Sequence, residues 1–171
     1  MNHFDKSNVS IVVPNSPKLL LKTVDESNLE NLRLWKNENS AYFFFKDIIT
    51  PYQQDIWYQA YLQRKYDLMF VATFENHAFG CLGIRWQEGS WDVYNVILGI
   101  REFGKRGFMG LSLAALIEYA ATLKGDPVTL KVLKSNPAVS WYQNMGFVII
   151  ETHALYYFMR YQPPKKGWVS Q

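Results

Sequence analysis

Residues Lys105-Arg106-Gly107-Phe108-Met109-Gly110, KRGFMG, join two runs of different period. Before them stands VYNVILGIREF (93–103), rich in β-branched and aromatic residues, which predicts a strand. After them stands LSLAALIEYAATLKG (111–125), whose length and apolar spacing predict a helix. Two cations and two glycines therefore sit at a strand-to-helix junction. A helix start presents unpaired N–H groups and a partial positive charge, and glycine lets a ligand approach the backbone closely. The same junction also reads as an ordinary turn. Two familiar phosphate loops are excluded by spacing: Gly104-x-x-Gly107-x-x-Gly110 is neither a P-loop nor a dinucleotide fingerprint.

Outward from the junction the pattern is regular. On the N-terminal side DLMFVATFE (67–75), AFGCLGIRWQ (78–87) and WDVYNVILGIRE (91–102) are three β-rich runs separated by the turn residues NH and EGS, which predicts an antiparallel meander. Ahead of them lie a strand KLLLKTV (18–24) and two helices. DESNLENLRLWKNEN (25–39) carries Leu29, Leu32 and Trp35 at helical spacing, and PYQQDIWYQAYLQRK (51–65) begins with Pro51 behind a capping Thr50. Between the helices SAYFFFKDIIT (40–50) has four consecutive aromatics and no clear period. On the C-terminal side the long helix stops near Gly125-Asp126-Pro127. Strand VTLKVL (128–133), short helix NPAVSWYQNM (136–145) and strands GFVIIETH (146–153) and ALYYFMRYQ (154–162) follow. The order β-α-α-β-β-β-α-β-α-β-β predicts an α/β (α+β) class: a mixed, mainly antiparallel sheet flanked by helices. Residues 1–17 form an N-terminal extension whose SIVV (10–13) can pair at a sheet edge, 18–162 form one domain, and 163–171 form a loose tail.

With 171 residues, 49% of them apolar and 19% charged, the chain can bury a sizeable core. Its net charge of +3 comes from scattered Lys and Arg, too dilute for a nucleic-acid footprint but suited to a small anionic ligand. The lone Cys81 excludes an intrachain disulfide and reads as a small core residue, and His3, His77 and His153 lack metal-ligand spacing, so no metal is expected. The start MNHFDKSNVS lacks the apolar core of a secretion signal, and no run is long and apolar enough to span a membrane. A cytoplasmic protein without membrane partner is the expectation.

The segment from Asn136 to Phe147 sharpens the reading. Asn136 can cap a helix whose first position is Pro137, and Gly146 can end that helix in a left-handed turn before Phe147 opens a strand. Together, this segment and the KRGFMG loop resemble the GNAT superfamily of acyl-CoA-dependent N-acyltransferases. That family's loop reads Gln/Arg-x-x-Gly-x-Gly/Ala, and its second motif reads Asn, a short helix, Tyr and Gly-Phe. Gly107 matches the central glycine, while Met109 holds the second small position and Gly104 the Gln/Arg position. Asn136, Tyr142, Gly146 and Phe147 all match. The resemblance covers about residues 18–162, with a splayed central strand pair.

The resemblance implies acetyl-CoA as cosubstrate. Its pyrophosphate would lie on the amides of the loop Lys105, Arg106, Gly107, Phe108, Met109 and Gly110. Its pantetheine arm would run like a strand beside Leu98, Gly99 and Ile100, with a β-bulge at Gly99 and a polarising N–H near Leu98. Asn136 would contact the arm. Coenzyme A supplies its own leaving group, so no protein nucleophile is needed. Tyr142 matches the family's usual acid, a phenol able to protonate the departing thiolate, though it also reads as a core tyrosine on Met145. The base stays open among Asp92, Tyr94, Glu102, His77, His153 and a water chain.

The reaction implied is N-acetyl transfer to a primary amine by direct attack. The aromatics Tyr42 to Phe45 and Trp57 either pack the early helices on the sheet or cover an acceptor site. LRLWKNEN followed by DIWYQAYL is similar to a branch acting on nucleotide-linked amino sugars, which favours a small-molecule amine acceptor. No acidic cluster near the early helices argues for a polyamine. A protein or peptide N-terminal acetyltransferase and a non-catalytic acyl-CoA-binding module remain alternatives, and a homodimer through the β-rich C-terminus remains open.

Overall fold

A computed structural model describes residues 5–163. The tail expected at 163–171 lies, from residue 164 on, outside the described residues, as do His3 and the start of the N-terminal extension. The elements are β1 (Ser10–Val12), β2 (Leu19–Thr23), α1 (Leu29–Glu38), α2 (Pro51–Gln63), β3 (Asp67–Phe74), β4 (His77–Gln87), β5 (Ser90–Leu98), α3 (Phe108–Leu123), β6 (Val128–Leu133), α4 (Val139–Asn144), β7 (Phe147–Thr152) and β8 (Tyr156–Tyr161). Eight strands form one sheet in the order β1-β2-β3-β4-β5-β6-β8-β7. Every neighbouring pair is antiparallel except β5 with β6. The class and order read from the sequence hold, including the edge pairing of β1 with β2.

The meander is built by two hairpins of the same design. Glu75 and Asn76 have φ of 48° and 67°, and Glu88 and Gly89 have φ of 51° and 79°. Two consecutive left-handed residues make the turn that matches strand twist. The first turn is Glu75-Asn76 rather than Asn76-His77, because His77 already pairs with Phe74.

Alternation along β3 divides the core in two. Leu68, Phe70 and Ala72 face one cluster together with Leu113, Leu116 and Ala120 of α3 and Tyr142 of α4. Met69 and Val71 face the other, together with Leu29, Leu32 and Trp35 of α1 and Tyr58 and Tyr61 of α2. Such a strand is buried on both faces and so reads as a continuous apolar run. The helices are stopped and started as the chain chemistry dictates. Thr50 and Gln53 form a reciprocal capping box at α2 with Pro51 in its first turn, and Gly146 (φ 103°) ends α4 before β7. Among the described residues no helix is long and apolar enough to cross a membrane.

Candidate active site

The site begins where β5 and β6 part. Their parallel pairing runs only from Trp91 with Val128 to Val93 with Leu130. Beyond it β6 follows β8 as far as Leu133. At the same level β5 is bulged: Tyr94 pairs with Gly83 and Ile97 with Cys81, so Asn95 and Val96 oppose the single residue Leu82. Asn95 takes φ of 48° to do so. A bulge increases local twist and re-aims side chains, which carries β5 away from β6.

The bulge therefore lies at Asn95–Val96 and not at Gly99. Gly99 has a different task. A Cβ there would come within 2.2–2.4 Å of three ring atoms of Trp35, so the missing side chain is what lets the indole lie against the strand. The N–H groups of Gly99 and Ile100 both donate to the Phe79 carbonyl, at 2.8 and 2.9 Å. They are spent within the sheet. By the alternation of an antiparallel pair, Leu98 turns its own main-chain groups the other way, toward the side that β6 has left.

The loop after β5 leads into α3 through two left-handed residues, Lys105 (φ 58°) and Gly107 (φ 76°). Gly107 is the helix N-cap and has no side chain to cap with, so the first intrahelical bond is Leu111 N–H to the Gly107 carbonyl at 3.0 Å. The amides of Phe108, Met109 and Gly110 have no hydrogen-bond partner among the described residues, whereas in α2 the Thr50 side chain takes the Gln53 N–H. Gly110 also brings the first turn of α3 against α4: a Cβ would stand 3.2 Å from the Met145 sulfur. The loop and the Asn136–Phe147 segment meet there.

A cleft of about 530 Å³ lies in front of this helix start. Val96, Leu98, Gly104, Lys105, Gly107, Phe108, Met109, Gly110 and Tyr142 line it, with Phe103, Ala138 and Trp141. The structure thus gathers Leu98, Lys105, Gly107, Phe108, Met109, Gly110 and Tyr142 in one wall. Gly99, Ile100, Arg106 and Asn136 are not in that wall. The Arg106 guanidinium stacks on Phe108 at 4.5 Å and Phe74 at 5.1 Å, on an aromatic cluster beside the cleft. Asn136 lines the adjoining cavity between β5 and β6, about 310 Å³. Its side chain accepts from the Ala138 N–H at 2.9 Å and donates to the Tyr42 carbonyl at 3.4 Å. Asn136 therefore shapes the turn before α4 rather than capping the helix itself, which starts at Val139 behind Ala138.

Tyr142 and Val96 belong to both spaces. Tyr142 packs edge-on against Trp141 and Phe147, with ring centroids 5.1 and 5.9 Å away. Burial raises its phenol well above the ordinary range. It therefore keeps its proton at working pH, which leaves it able to donate a hydrogen bond while being a weaker acid than a free phenol.

A third space, about 280 Å³, lies under α1 and α2 and shares Lys36, Phe45, Trp57 and Asn95 with the cavity between β5 and β6. Phe44 and Phe45 are more than half exposed and stand over the cavities, whereas Phe43 and Trp57 pack on the second core with α1 and α2, so the run does both. Cys81 is buried as expected, in the wall of this space. Gln54, buried but without a side-chain partner among the described residues, lines it as well.

Sequence reasoning missed Lys36. Its ammonium donates to the Asn95 side chain and sits 3.3 Å above the Phe43 ring centroid. Burial pushes its pKa down to about 8. The earlier base candidates are otherwise engaged. Asp92 accepts from Arg85 at 3.0 Å, and burial raises its carboxyl above the ordinary value. The Tyr94 hydroxyl donates to Asp67, and burial followed by the Asp67 charge raises it well above ordinary. Glu102 is exposed on the loop, His77 is exposed at the first hairpin, and His153, just past the end of β7, pairs with Glu151 at 2.8 Å. Acidic residues also gather where the sequence showed no cluster. Glu26, Glu30 and Asp55 line a separate cleft outside α1 and α2, with Glu30 held by Arg33 at 2.6 Å. Glu26 and Glu30 are one helical turn apart, and helix packing brings Asp55 of α2 to them.

No protein-family model matches the sequence, and no curated protein matches it. Solved structures do match. RimL, a ribosomal L7/L12 α-N-protein acetyltransferase solved in complex with coenzyme A, is 19% identical over 86% of this chain and 95% of its own, with a TM-score of 0.69. Apo FdhC, a nucleotide-linked sugar GNAT, is 17% identical over 90% of this chain and 89% of its own, TM-score 0.72. Spermidine N-acetyltransferase from Vibrio cholerae, in complex with CoA and spermine, is 18% identical over 84% and 92%, TM-score 0.68. The chain has the fold of the GNAT acetyltransferases.

Proposed function

We propose that the protein is an acetyl-CoA-dependent N-acetyltransferase that moves an acetyl group to a primary amine. The observation that carries this reading is the junction at Tyr142 and Val96. There a cleft headed by an uncapped helix start opens into the gap between β5 and β6. The amides of Phe108, Met109 and Gly110 would take the pyrophosphate, with Lys105 beside them, as helix starts bind phosphate elsewhere. The pantetheine would run past Leu98, whose N–H would polarise the thioester oxygen. The amine attacks the thioester carbon, the C–S bond breaks, and Tyr142 donates a hydrogen bond to the departing sulfur. The structural neighbours solved with coenzyme A bound support the choice of cosubstrate.

The acceptor is a small-molecule amine in our reading, with a nucleotide-linked amino sugar foremost. Around the gap stand three basic side chains, Lys36, Arg85 and Lys131, against the one carboxylate of Asp92. That balance favours an acceptor carrying a negative group and disfavours a polyamine. A protein N-terminus is the second reading, supported by the likeness to RimL. If the enzyme is a homodimer, β7 offers the surface: it is a sheet edge with Val148, Ile149 and Ile150 exposed.

The test is thiol release from acetyl-CoA with three acceptors: a nucleotide-linked amino sugar, a seryl hexapeptide and spermidine. Turnover with the sugar nucleotide is expected, and turnover with the peptide alone overturns the small-molecule choice. Coenzyme A at about 100 times its dissociation constant should stabilise the fold by about 2.7 kcal/mol. No thermal shift would overturn cofactor binding altogether.

A further inference from the structure

At neutral pH an aliphatic amine is an ammonium ion and cannot attack until a proton leaves. The gap between β5 and β6 is lined by few groups able to take it. On β4, Arg85 is bound to Asp92 of β5, and Tyr94 of β5 is bound to Asp67. On β6, Lys131 is an exposed cation, and on α4 Tyr142 keeps its proton. Tyr42 reaches the gap from the loop before α2. The Cys81 thiol, next to Lys36, is pushed up to about 12 and stays neutral.

Lys36 differs from all of these. It is the ionisable side chain that lines both the gap and the space under α1 and α2, so it stands on the acceptor's side of the junction, with Tyr142 in the wall of the same gap. Its contacts are neutral: the Asn95 amide oxygen and the Phe43 ring. Asn95 is the bulge residue itself, so the distortion that opens the sheet also orients the amine. Among the described residues no carboxylate pairs with it.

We propose that the Lys36 amine is the general base that takes the proton from the acceptor ammonium, an inference that rests on the acetyl-transfer reading above. The balance is simple. The ammonium gives up two protons in becoming an amide. Lys36 holds the first and passes it to solvent, and the second ends on the thiol of coenzyme A as the C–S bond breaks. Burial among neutral partners, by lowering the Lys36 pKa to about 8, leaves a useful fraction of free amine near neutrality.

The test compares the parent with Lys36→Met and Lys36→Arg, using whichever of the three acceptors above turns over. The parent's kcat/KM should rise with pH to a plateau, with a midpoint near the lowered value of about 8. Lys36→Met should lower kcat/KM by about 100-fold or more at neutral pH and lose that limb. Lys36→Arg should be equally poor, since a guanidinium keeps charge but cannot accept a proton. Calorimetric affinity for coenzyme A should stay unchanged in both. That separates this inference from cofactor binding, whose failure would appear in the parent as well. Recovery of activity by Lys36→Arg overturns the base and leaves an anion-holding charge; an intact pH limb in Lys36→Met also overturns it. A lysine NMR titration needs no acceptor: a Lys36 midpoint near about 8 supports the proposal, and one near its ordinary value of 10.5 overturns it.

Discussion

Replacing Gly99 with alanine measures how tightly α1 is docked on the strand that would carry the cofactor. The added methyl would lie 2.2 Å from Trp35 Cε2, 2.3 Å from Cδ2 and 2.4 Å from Nε1. Ordinary carbon contacts are about 3.5–4.0 Å, so the overlap exceeds about 1 Å. The indole has nowhere to tilt: Trp35 is 5% exposed and packed in the second core. Expelling the ring would return roughly 150–250 Å² to water, about 4–6 kcal/mol. Moving the backbone instead strains the bonds from the Gly99 and Ile100 N–H groups to Phe79. The cheaper compromise lies at the upper end of overpacking costs, about 3 kcal/mol. For a chain of this length that lowers the melting temperature by about 6–12 °C. Urea denaturation of Gly99→Ala, Trp35→Phe and the double variant is the assay. The smaller ring should relieve the clash, so the two losses should fall short of additivity by more than about 1 kcal/mol. Strict additivity, or a Gly99→Ala loss below about 0.5 kcal/mol, would refute the contact.

Tyr142→Phe should lower turnover by about 100-fold with unchanged affinity for coenzyme A, read by thiol release and calorimetry; a non-catalytic binding module would show no change in any residual rate. Gly107→Ala meets open space but a φ of 76°, so it should cost about 1–2 kcal/mol in urea and weaken coenzyme A binding. The Ser112 hydroxyl is buried without a partner among the described residues, so Ser112→Ala should be neutral or raise the melting temperature. Stability should also depend on pH. Burial lowers Lys6 and Lys36 to about 8 from an ordinary 10.5, so above about pH 8 the unfolded chain binds more protons and stability rises with pH. Cys81, raised from 9.0 to about 12, works in the opposite sense above pH 9. The urea midpoint should therefore climb between these two values, and the climb should shrink in Lys36→Met.

The fold was legible because its signals are local. Period-two and helical spacing, the Thr50–Pro51 start, the turn residues and Gly146 each fix their own segment, and the segments then agree on one order. The loop glycines and Tyr142 were legible through their motifs, and the structure brings them to one cleft. What stayed hidden depends on distant partners. Gly99 looked like a bulge residue, yet its form is set by an indole from α1, while the bulge fell on Asn95, a residue with no such signature. Lys36 sits in a polar-looking stretch, LWKNEN, and nothing in that stretch shows that the next element would bury it over Phe43. Glu26 and Glu30 are one helical turn apart, but Asp55 meets them only when α1 and α2 pack.

Titration of the isotope-labelled protein with coenzyme A, followed amide by amide in NMR, is the direct test. The largest shifts should fall on Phe108, Met109 and Gly110 at the start of α3 and on Leu98 in β5, with the Gly99 and Ile100 amides, already bound to Phe79, much less affected. Saturable shifts confined to some other surface, or none at all, would contradict the assignment of the cleft to the cofactor.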